Sequence, residues 1–295
     1  MFNNRQEIID TITDEWHIPE DEKVNFDHTR YAIFEHVYTQ WLKANIVVRR
    51  DEQYHTALWS PTDTEDRYFD HMNRPETRKW IEQLGWTKPI AYRINQFGFR
   101  CDDFSAQEDK QSGIVVLGCS HTQGTGLPEE DVYVTHIENH FGIKTWNLGV
   151  PGIGPEPLVN FALIHLLDYI NPTAIIFTIP PVGREHFLRN KPLDERMELV
   201  KHSGIDVVKD YLMPHNIDIT GSVQSYLRST MALKCFAQEL GVPFVCSTAN
   251  TLSIMPDRNL CNELAWDRAR DLAHFGPRHH RLWADKYIRE LEPQL

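Results

Sequence analysis

The sequence contains no long apolar run and no recognisable leader segment. No window of its 295 residues approaches the roughly 18 consecutive apolar residues that a membrane-spanning helix needs. The first residues, MFNNRQEIIDTITDEWH, lack a basic stretch followed by an apolar core, which argues against a secretory signal. We therefore expect a cytoplasmic site of synthesis and no membrane span, while delivery in a virus particle or release by lysis stays open.

Positive charge is also scarce. The chain has 30 Lys and Arg residues against 42 Asp and Glu residues, which gives a formal net charge of −12 at pH 7. Non-specific binding to nucleic acid depends on neutralising phosphates with basic side chains. We therefore expect no nucleic-acid partner.

Cysteine is too sparse and too scattered for a structural framework. The five cysteines form no C-x-x-C motif and lie at Cys101, Cys119, Cys235, Cys246 and Cys261. An odd number at such spacings argues against a set of disulfides and against a cysteine zinc site. The pattern predicts reduced thiols that are mostly buried.

The pattern of the sequence changes near residue 112, and we expect two units, 1–112 and 113–295. Residues 1–112 are predicted to form a mostly helical N-terminal region with an extended arm and a linker. Its predicted parts are helices at Arg5–Glu15, Thr29–Lys43 and Glu76–Leu84, a loop or helix cap at Ser60–Asp63, an arm at Tyr92–Arg100 and a linker at Cys101–Ser112.

From residue 113 onwards, apolar strands alternate with helices. The predicted strands are Ile114–Leu117, Lys144–Leu148, Ala174–Ile179, Pro243–Ser247 and, more weakly, Thr251–Met255; the predicted helices are Asp131–Phe141, Leu158–Tyr169, Ser222–Leu240 and His279–Leu291. Such alternation predicts an α/β domain whose parallel sheet has helices on both faces. We expect Asn171-Pro172 to stop the second helix, and the insert Gly183–Thr220 to form a lid or substrate wall.

The stretch Gly113–Leu127, GIVVLGCSHTQGTGL, carries the first candidate residue. Its apolar start indicates a buried strand, after which Ser120 would stand at the edge where open parallel sheets bind ligands. A small hydroxyl flanked by glycines is well placed to act as a nucleophile. The alternative is a serine that caps a helix or cradles a phosphate, although the usual phosphate-binding patterns are missing. Its neighbour Cys119 is predicted to be buried packing.

A serine nucleophile needs a base, and the sequence offers one near its end. Asp271-Leu272-Ala273-His274 places a carboxylate and an imidazole three residues apart. The carboxylate can hold the tautomer of the histidine while the other ring nitrogen faces the serine hydroxyl. The alternative is a surface pair beside a helix start, with Asp271 as a cap.

Taken together, GCSHTQGTGL and the late DLAHFGPRHH resemble the SGNH hydrolases, also called the GDSL esterase and lipase superfamily. The resemblance covers residues 113–291. It implies a three-layer α/β/α sandwich of flavodoxin-like strand order. It also implies that Ser120, Asp271 and His274 form a catalytic triad.

The same resemblance predicts the oxyanion hole. Asn147-Leu148-Gly149 is similar to the second block of the family, which implies that the amides of Gly149 and Ser120 hold the oxyanion; Asn147 would orient the loop. The third block, G-x-N-D, has no counterpart after the third strand, so the family's oxyanion asparagine cannot be assigned. Arg184 and Asn190 are candidate replacements, although each fits a structural role better. Together with Asn147 and Arg100, they are also the candidate substrate-binding residues.

A segment ahead of the domain, N-x-x-G-F-R, is also similar to one found in many bacterial and phage proteins of this superfamily. It implies that Asn95 or Arg100 approaches the site. The structural interpretation is that Asn95 and Gly98 form a turn and Arg100 pairs with a surface acid.

The resemblance implies a serine esterase that needs no cofactor and no metal. Its substrate would be a small-molecule or polysaccharide acyl ester, for instance an O-acetyl group on a carbohydrate. Two alternatives stay open: an acyltransferase, and a non-catalytic binding or structural module of a viral or surface assembly, which the missing G-x-N-D favours. An oligomer or larger assembly is compatible with each.

Two further groups of residues favour a structural interpretation. His279 and His280 are predicted to be solvated histidines at a helix start, since no acidic or cysteine partners recur at metal-ligand spacing. Tyr92, Phe97 and Phe99 are predicted to be core residues, with a sugar-stacking wall as the alternative.

Overall fold

The computed structural model describes residues 55–60, 63–88, 90–95, 98–104, 110–180, 219–248 and 267–295. The predicted helices Arg5–Glu15 and Thr29–Lys43, the weak strand Thr251–Met255 and nearly all of the insert Gly183–Thr220 lie outside these ranges. The elements, in chain order, are β1 His55–Ala57, α1 Glu65–Asn73, α2 Pro75–Gln83, β2 Tyr92–Ile94, β3 Gln111–Gly118, α3 Ser120–Gln123, α4 Tyr133–Phe141, β4 Thr145–Gly149, α5 Pro155–Tyr169, β5 Ile170–Ile179, α6 Ile219–Leu240, β6 Phe244–Thr248 and α7 Pro277–Leu291.

Four parallel strands form the central sheet of the described residues, in the order β4-β3-β5-β6. Strand β3, the first of the four in the chain, therefore lies inside the sheet, with β4 on one side and β5 and β6 on the other. This is the flavodoxin-like order. Gly118 at the end of β3 lies beside Gly149 at the end of β4, so the carboxyl ends of both strands meet at one edge.

Helices cover both faces of this sheet. Helices α5 and α6 pack on the face that carries Val115, Leu117 and Phe177, whereas α4 and α7 pack on the face that carries Val116 and Ile176. Successive side chains of a strand point to opposite faces, and both faces are buried, so the central parts of the strands are mostly apolar. The predicted three-layer α/β/α fold is confirmed.

The junction between α5 and β5 differs from the prediction. Helix α5 ends at Tyr169, as predicted, but β5 begins at once with Ile170, ahead of the predicted start at Ala174. Pro172 lies inside the strand, opposite Gly113, where the register between β3 and β5 shifts. Proline has no N–H to donate to the ladder, so it fits a strand at such an irregularity.

The described part of the N-terminal region packs against both faces of the sheet. Ile81 and Trp86 join the core on the α4 and α7 side, whereas Phe99, Cys101 and Phe104 join the core on the α5 and α6 side. The start of the predicted linker, Cys101 and Phe104, is therefore buried rather than solvated. Whether the chain divides into two units at residue 112 stays a prediction.

Helix α1 was not predicted, although its start has a local cause. The hydroxyl of Thr64 accepts a hydrogen bond from the backbone N–H of Arg67 and caps the helix. In the ranges that the structure covers, no helix is long and apolar enough to cross a membrane.

The central position of β5 gives a first test. Ile176 is 0% exposed, and Ile176→Ala leaves a cavity that should lower the free energy of unfolding by about 2–5 kcal/mol. Leu227 is 62% exposed on α6, so Leu227→Ala should change it by no more than about 0.5 kcal/mol. Urea unfolding of both variants is the measurement, and equal changes would contradict the layer assignment.

Candidate active site

Ser120 lies directly beyond the end of β3. The strand ends at Gly118, and Ser120 is the first residue of the single-turn helix α3, which closes on Gly124 in the left-handed region at φ 77°. The side chain is 2% exposed. Its place at the carboxyl edge of the sheet is the one predicted, and Cys119 packs into the core on the α5 and α6 side, as expected.

The structure brings Ser120 and His274 together across 154 positions of sequence. The Nε2 atom of His274 lies 2.7 Å from Oγ of Ser120, and Nδ1 of the same ring lies 2.6 Å from Oδ2 of Asp271. A carboxylate accepts only, so Nδ1 carries a proton and Nε2 is left to accept from the serine hydroxyl. The arrangement can move the proton of Ser120 to His274.

The carboxylate of Asp271 organises the loop around it. Its Oδ1 accepts hydrogen bonds from the backbone N–H groups of Ala273 (3.0 Å) and His274 (2.9 Å). Leu272, between them, has φ 54°, the only positive φ of a non-glycine residue in the described ranges. A non-glycine residue in this region is strained, and such strain is typical of functional turns.

The hydrogen bonds around Asp271 also determine its charge. Burial alone would raise the pKa of this carboxyl, but the bonds from the His274 ring and from the two backbone N–H groups bring that pKa below its ordinary value. Asp271 is therefore an anion at neutral pH, as a partner for an imidazolium must be.

The segment 267–276, which we call the His274 loop, is closed by its own backbone. Arg268 pairs with Phe275 as an isolated antiparallel bridge, and the N–H of Gly276 donates to the carbonyl of Asp267 at 2.9 Å. Beside this loop, the ring of His121 lies 4.9 Å from that of His274 and stacks on Phe275. His121 thus packs against the imidazole that faces Ser120.

The prediction that His279 and His280 are solvated is wrong. Both are buried on the face of α7 that packs inwards. His279 binds Asp267 through Nδ1 at 2.8 Å, and Nδ1 of His280 accepts from the backbone N–H of Tyr133 at 3.2 Å. Burial lowers the pKa of His280 well below its ordinary value, so this ring is neutral.

Asn147 and Gly149 lie at the end of β4, beside the Ser120 turn. The amide of Asn147 donates to the carbonyl of Thr122 at 2.8 Å, and its oxygen accepts from the N–H of Gly149 at 3.1 Å. Asn147 therefore orients this loop, as predicted. The oxyanion role predicted for Gly149 requires its N–H to leave Asn147 or to share its hydrogen between two acceptors.

Arg100 reaches the turn that begins at Ser120 and does not take the surface position considered for it. It is buried, and its guanidinium donates to the carbonyls of Gln123 (3.2 Å), Gly124 (2.8 Å), Leu127 (2.9 Å) and Ala91 (3.1 Å). It supports the turn after Ser120, and among the described residues no surface acid is paired with it.

The remaining sequence candidates divide between the core and undescribed parts of the chain. Asn95 and Gly98 form the expected turn, with the N–H of Gly98 donating to the carbonyl of Asn95 at 2.8 Å. Tyr92 and Phe99 are core residues, so they do not contribute to an exposed sugar-stacking wall. Arg184, Asn190 and Phe97 lie outside the described residues.

The described cysteines and possible metal ligands were considered as further parts of the site. The described cysteines form no disulfide. Cys101 and Cys119 are buried and Cys246 is half-buried, whereas Cys235 is exposed and departs from the predicted burial. Cys261 lies outside the described ranges. Within those ranges, no group of three or more His, Cys, Asp or Glu side chains is arranged to hold a metal ion.

Several buried polar residues behind the site escaped the sequence analysis. The hydroxyl of Tyr133 contacts Thr122 (2.9 Å) and Thr178 (2.7 Å), and Thr178 contacts Tyr287 (2.8 Å), which joins α3 to β5 and α7. These residues come from separate segments and share no motif. No local signal could therefore have grouped them.

A buried ion pair was missed for the same reason. Arg270 binds Asp63, 207 positions away, with Nη2 2.6 Å from Oδ2 and Nε 3.0 Å from Oδ1. The sequence predicts only that Asp63 belongs to the loop or helix cap at Ser60–Asp63. Its only sequence signal was an acidic residue in that cluster, which is common in loops.

The strand order, the serine after the first strand of the sheet and the D-x-x-H loop before the last helix are the features implied by the resemblance. The fold is the three-layer α/β/α sandwich of flavodoxin-like strand order that the resemblance implies. No protein-family profile matches the chain, and no curated protein matches it.

Solved structures similar to this chain include a member of the lipolytic G-D-S-L family from Veillonella parvula, with 12% identity and a TM-score of 0.33 over 63% of this chain and 100% of that one. TesA has 9% identity and a TM-score of 0.34 over 63% and 100%. A catalytic mutant of the acetylxylan esterase Axe2 from Geobacillus stearothermophilus has 16% identity and a TM-score of 0.30 over 62% and 94%. Similarities this low transfer no activity to the present chain.

The depressed pKa of Asp271 predicts how stability depends on pH. The charged carboxylate should contribute about 1–3 kcal/mol that Asp271→Asn loses. Because the folded pKa is lowered, this difference should be complete above the unfolded pKa of about 4 and disappear as the pH falls through the folded pKa.

Urea unfolding of both proteins between neutral and strongly acidic pH measures this difference. Asp70→Asn is the control, because Asp70 pairs with Arg74 on the surface and should contribute at most about 1 kcal/mol. A gap between wild type and Asp271→Asn that stays constant across the pH range would contradict the account.

Proposed function

We propose that this chain is an SGNH-type serine esterase that hydrolyses acyl esters. The observation that carries the proposal is the continuous contact from Ser120 Oγ to His274 Nε2 (2.7 Å) and from His274 Nδ1 to Asp271 Oδ2 (2.6 Å). A hydroxyl, a base and a group that orients the base are the elements of an activated serine.

In the proposed reaction, His274 Nε2 takes the proton of Ser120 while the serine oxygen attacks the ester carbonyl. Asp271 stabilises the resulting imidazolium, which then gives its proton to the departing alcohol and leaves an acyl group on Ser120. His274 next takes a proton from water, whose oxygen attacks the acyl group. Collapse of the second tetrahedral intermediate returns the proton to Ser120 and releases the acid.

The proposed oxyanion hole uses backbone N–H groups. Ser120 is the first residue of α3, and the N–H groups at a helix start have no partner inside the helix. The second proposed donor is the N–H of Gly149, which would share its hydrogen between the oxyanion and Oδ1 of Asn147, 3.1 Å away. A donor aimed at the developing charge is worth about 3 kcal/mol, so sharing it should slow the chemistry without abolishing it.

We further propose that the acyl group is small, such as an O-acetyl group on a carbohydrate. Support comes from the burial of the two side chains: Ser120 is 2% exposed and His274 is 8% exposed, so a bulky acyl group would have limited access to the hydroxyl. The carbohydrate part is implied only by the resemblance. An acyltransferase would share the acylation half and differ in the acceptor, which the first experiment below also distinguishes.

Ser120→Ala should lower hydrolysis of p-nitrophenyl acetate at least about a thousandfold, because it removes the attacking oxygen. Ser229→Ala, in which a buried serine of α6 is replaced, is the matched control and should keep full activity. Adding a sugar alcohol should leave the acid as the product if the enzyme is a hydrolase, and yield an acetylated sugar if it is a transferase.

A fluorophosphonate probe separates the other outcomes, since it labels an activated serine whatever the natural substrate is. Labelling of wild type but not of Ser120→Ala is expected. Equal esterase activity in wild type and Ser120→Ala would overturn the catalytic role of Ser120. Absence of both hydrolysis and labelling in wild type would favour a non-catalytic module.

A further inference from the structure

Four residues from four separate segments form a closed cycle of hydrogen bonds at Gly126. The N–H of Gly126 donates to the hydroxyl of Tyr92 (2.8 Å), which donates to Oδ2 of Asp63 (2.5 Å). Asp63 accepts from the guanidinium of Arg270 (2.6 Å), and the backbone N–H of Arg270 donates to the carbonyl of Gly126 (2.9 Å). We call this the Gly126 cycle.

The cycle closes where two loops touch. A Cβ atom on Gly126 would lie 2.8 Å from Cβ of Ala269 and 3.0 Å from the backbone nitrogen of Arg270. The turn that follows Ser120 is therefore in backbone contact with the His274 loop at this point. Gly126 also has φ 79°, a conformation that other residues rarely adopt.

The three side chains of the cycle are buried. Asp63, Tyr92 and Arg270 are all nearly inaccessible to solvent. Burial, together with the neighbouring Asp63 carboxylate, raises the pKa of Tyr92 far above its ordinary value, so the hydroxyl stays protonated and donates. The Arg270 guanidinium lies 4.3 Å from the centre of the Trp59 ring and also donates to the carbonyl of Leu58.

The cycle is adjacent in sequence to both halves of the proposed catalytic contact. Arg270 directly precedes Asp271, and Gly126 ends the turn that begins at Ser120. Asp63 and Tyr92 come from the N-terminal region and bridge the two. A change in either bridging residue would therefore alter how the two loops meet, and with it the separation of Ser120 and His274.

We propose that Tyr92 and Asp63 are positioning residues, which act through the Gly126 cycle to set the geometry between Ser120 Oγ and His274 Nε2. This inference rests on the proposed esterase function. It gives the N-terminal region a part in the reaction, since that region supplies both bridging side chains. Neither residue touches the reacting atoms.

Tyr92→Phe is the sharpest test, because it removes one oxygen and keeps the ring that fills the core. The rate constant for fluorophosphonate labelling of Ser120 should fall about 10- to 100-fold, the usual cost of a displacement near 1 Å. The final labelled fraction should remain complete. With p-nitrophenyl acetate, kcat should fall while KM changes little, because binding contacts are unaffected.

Tyr68→Phe is the matched control. Its ring also faces Arg270, at 5.7 Å, but its hydroxyl takes no part in the cycle, so the labelling rate should equal that of wild type. If Tyr92→Phe does not fold, Asp63→Asn breaks the cycle at its other bridging residue and should give the same result. When both fold, the double variant should lose no more than the more affected single variant, because both act through one cycle.

The outcomes separate three cases. A slower labelling rate with complete final labelling supports positioning. An unchanged rate constant, with or without a lower final fraction, would show that Tyr92 only stabilises the fold and would overturn the inference. Absence of labelling in wild type would overturn the proposed function itself.

Discussion

The backbone contact at Gly126 is the constraint on which the rest of the site depends. Ser120 and His274 come from loops that are far apart in the chain, and their side chains meet at 2.7 Å. Such a contact needs the two loops to approach closely, and at Gly126 no room is left for a Cβ atom. The absence of a side chain at this position is therefore as important as the side chains that meet nearby.

Side-chain hydrogen bonds to backbone groups stabilise both the turn after Ser120 and the His274 loop. Arg100 binds three carbonyls of the turn after Ser120, and Asp271 uses one carboxylate oxygen for backbone N–H groups and the other for the imidazole. Preorganised groups of this kind lose little entropy when the reaction occurs. The strain at Leu272 is balanced by the bonds that Asp271 makes.

The ion pair between Asp63 and Arg270 contributes more to selecting one arrangement of the loops than to the free energy of folding. Burying two charges costs desolvation energy that their attraction recovers only when geometry is good and further hydrogen bonds are present. Here the carboxylate has a third donor in Tyr92, and the guanidinium has an aromatic ring and a carbonyl beside it. An alternative arrangement of the loops would leave these charges unpaired, which strongly disfavours it.

The strands and helix ends that could be predicted are those whose pattern lies within a few neighbouring residues. The strands were found because both faces of the sheet are buried, which makes Ile114–Leu117 an unbroken apolar run and leaves Thr178 as the one polar residue in Ala174–Ile179. Helix α4 was bounded at its end by Gly142, which is left-handed as a C-cap glycine should be. The predicted start of β5, Ala174, was too late, because a proline can be accepted in a strand at a register shift that only the neighbouring strand reveals.

Sequence by itself determined the strand and helix alternation, the serine at the strand end and the carboxylate three residues before a histidine, because each depends on residues close together in the chain. Only the tertiary structure decided that His279 and His280 are buried, that Arg100 supports the Ser120 turn and that Asp63 meets Arg270. These contacts join segments up to 207 positions apart, and burial and pairing over such separations leave no periodic trace in the chain. The physical reason is that packing, rather than local preference, selects the partners of buried polar groups.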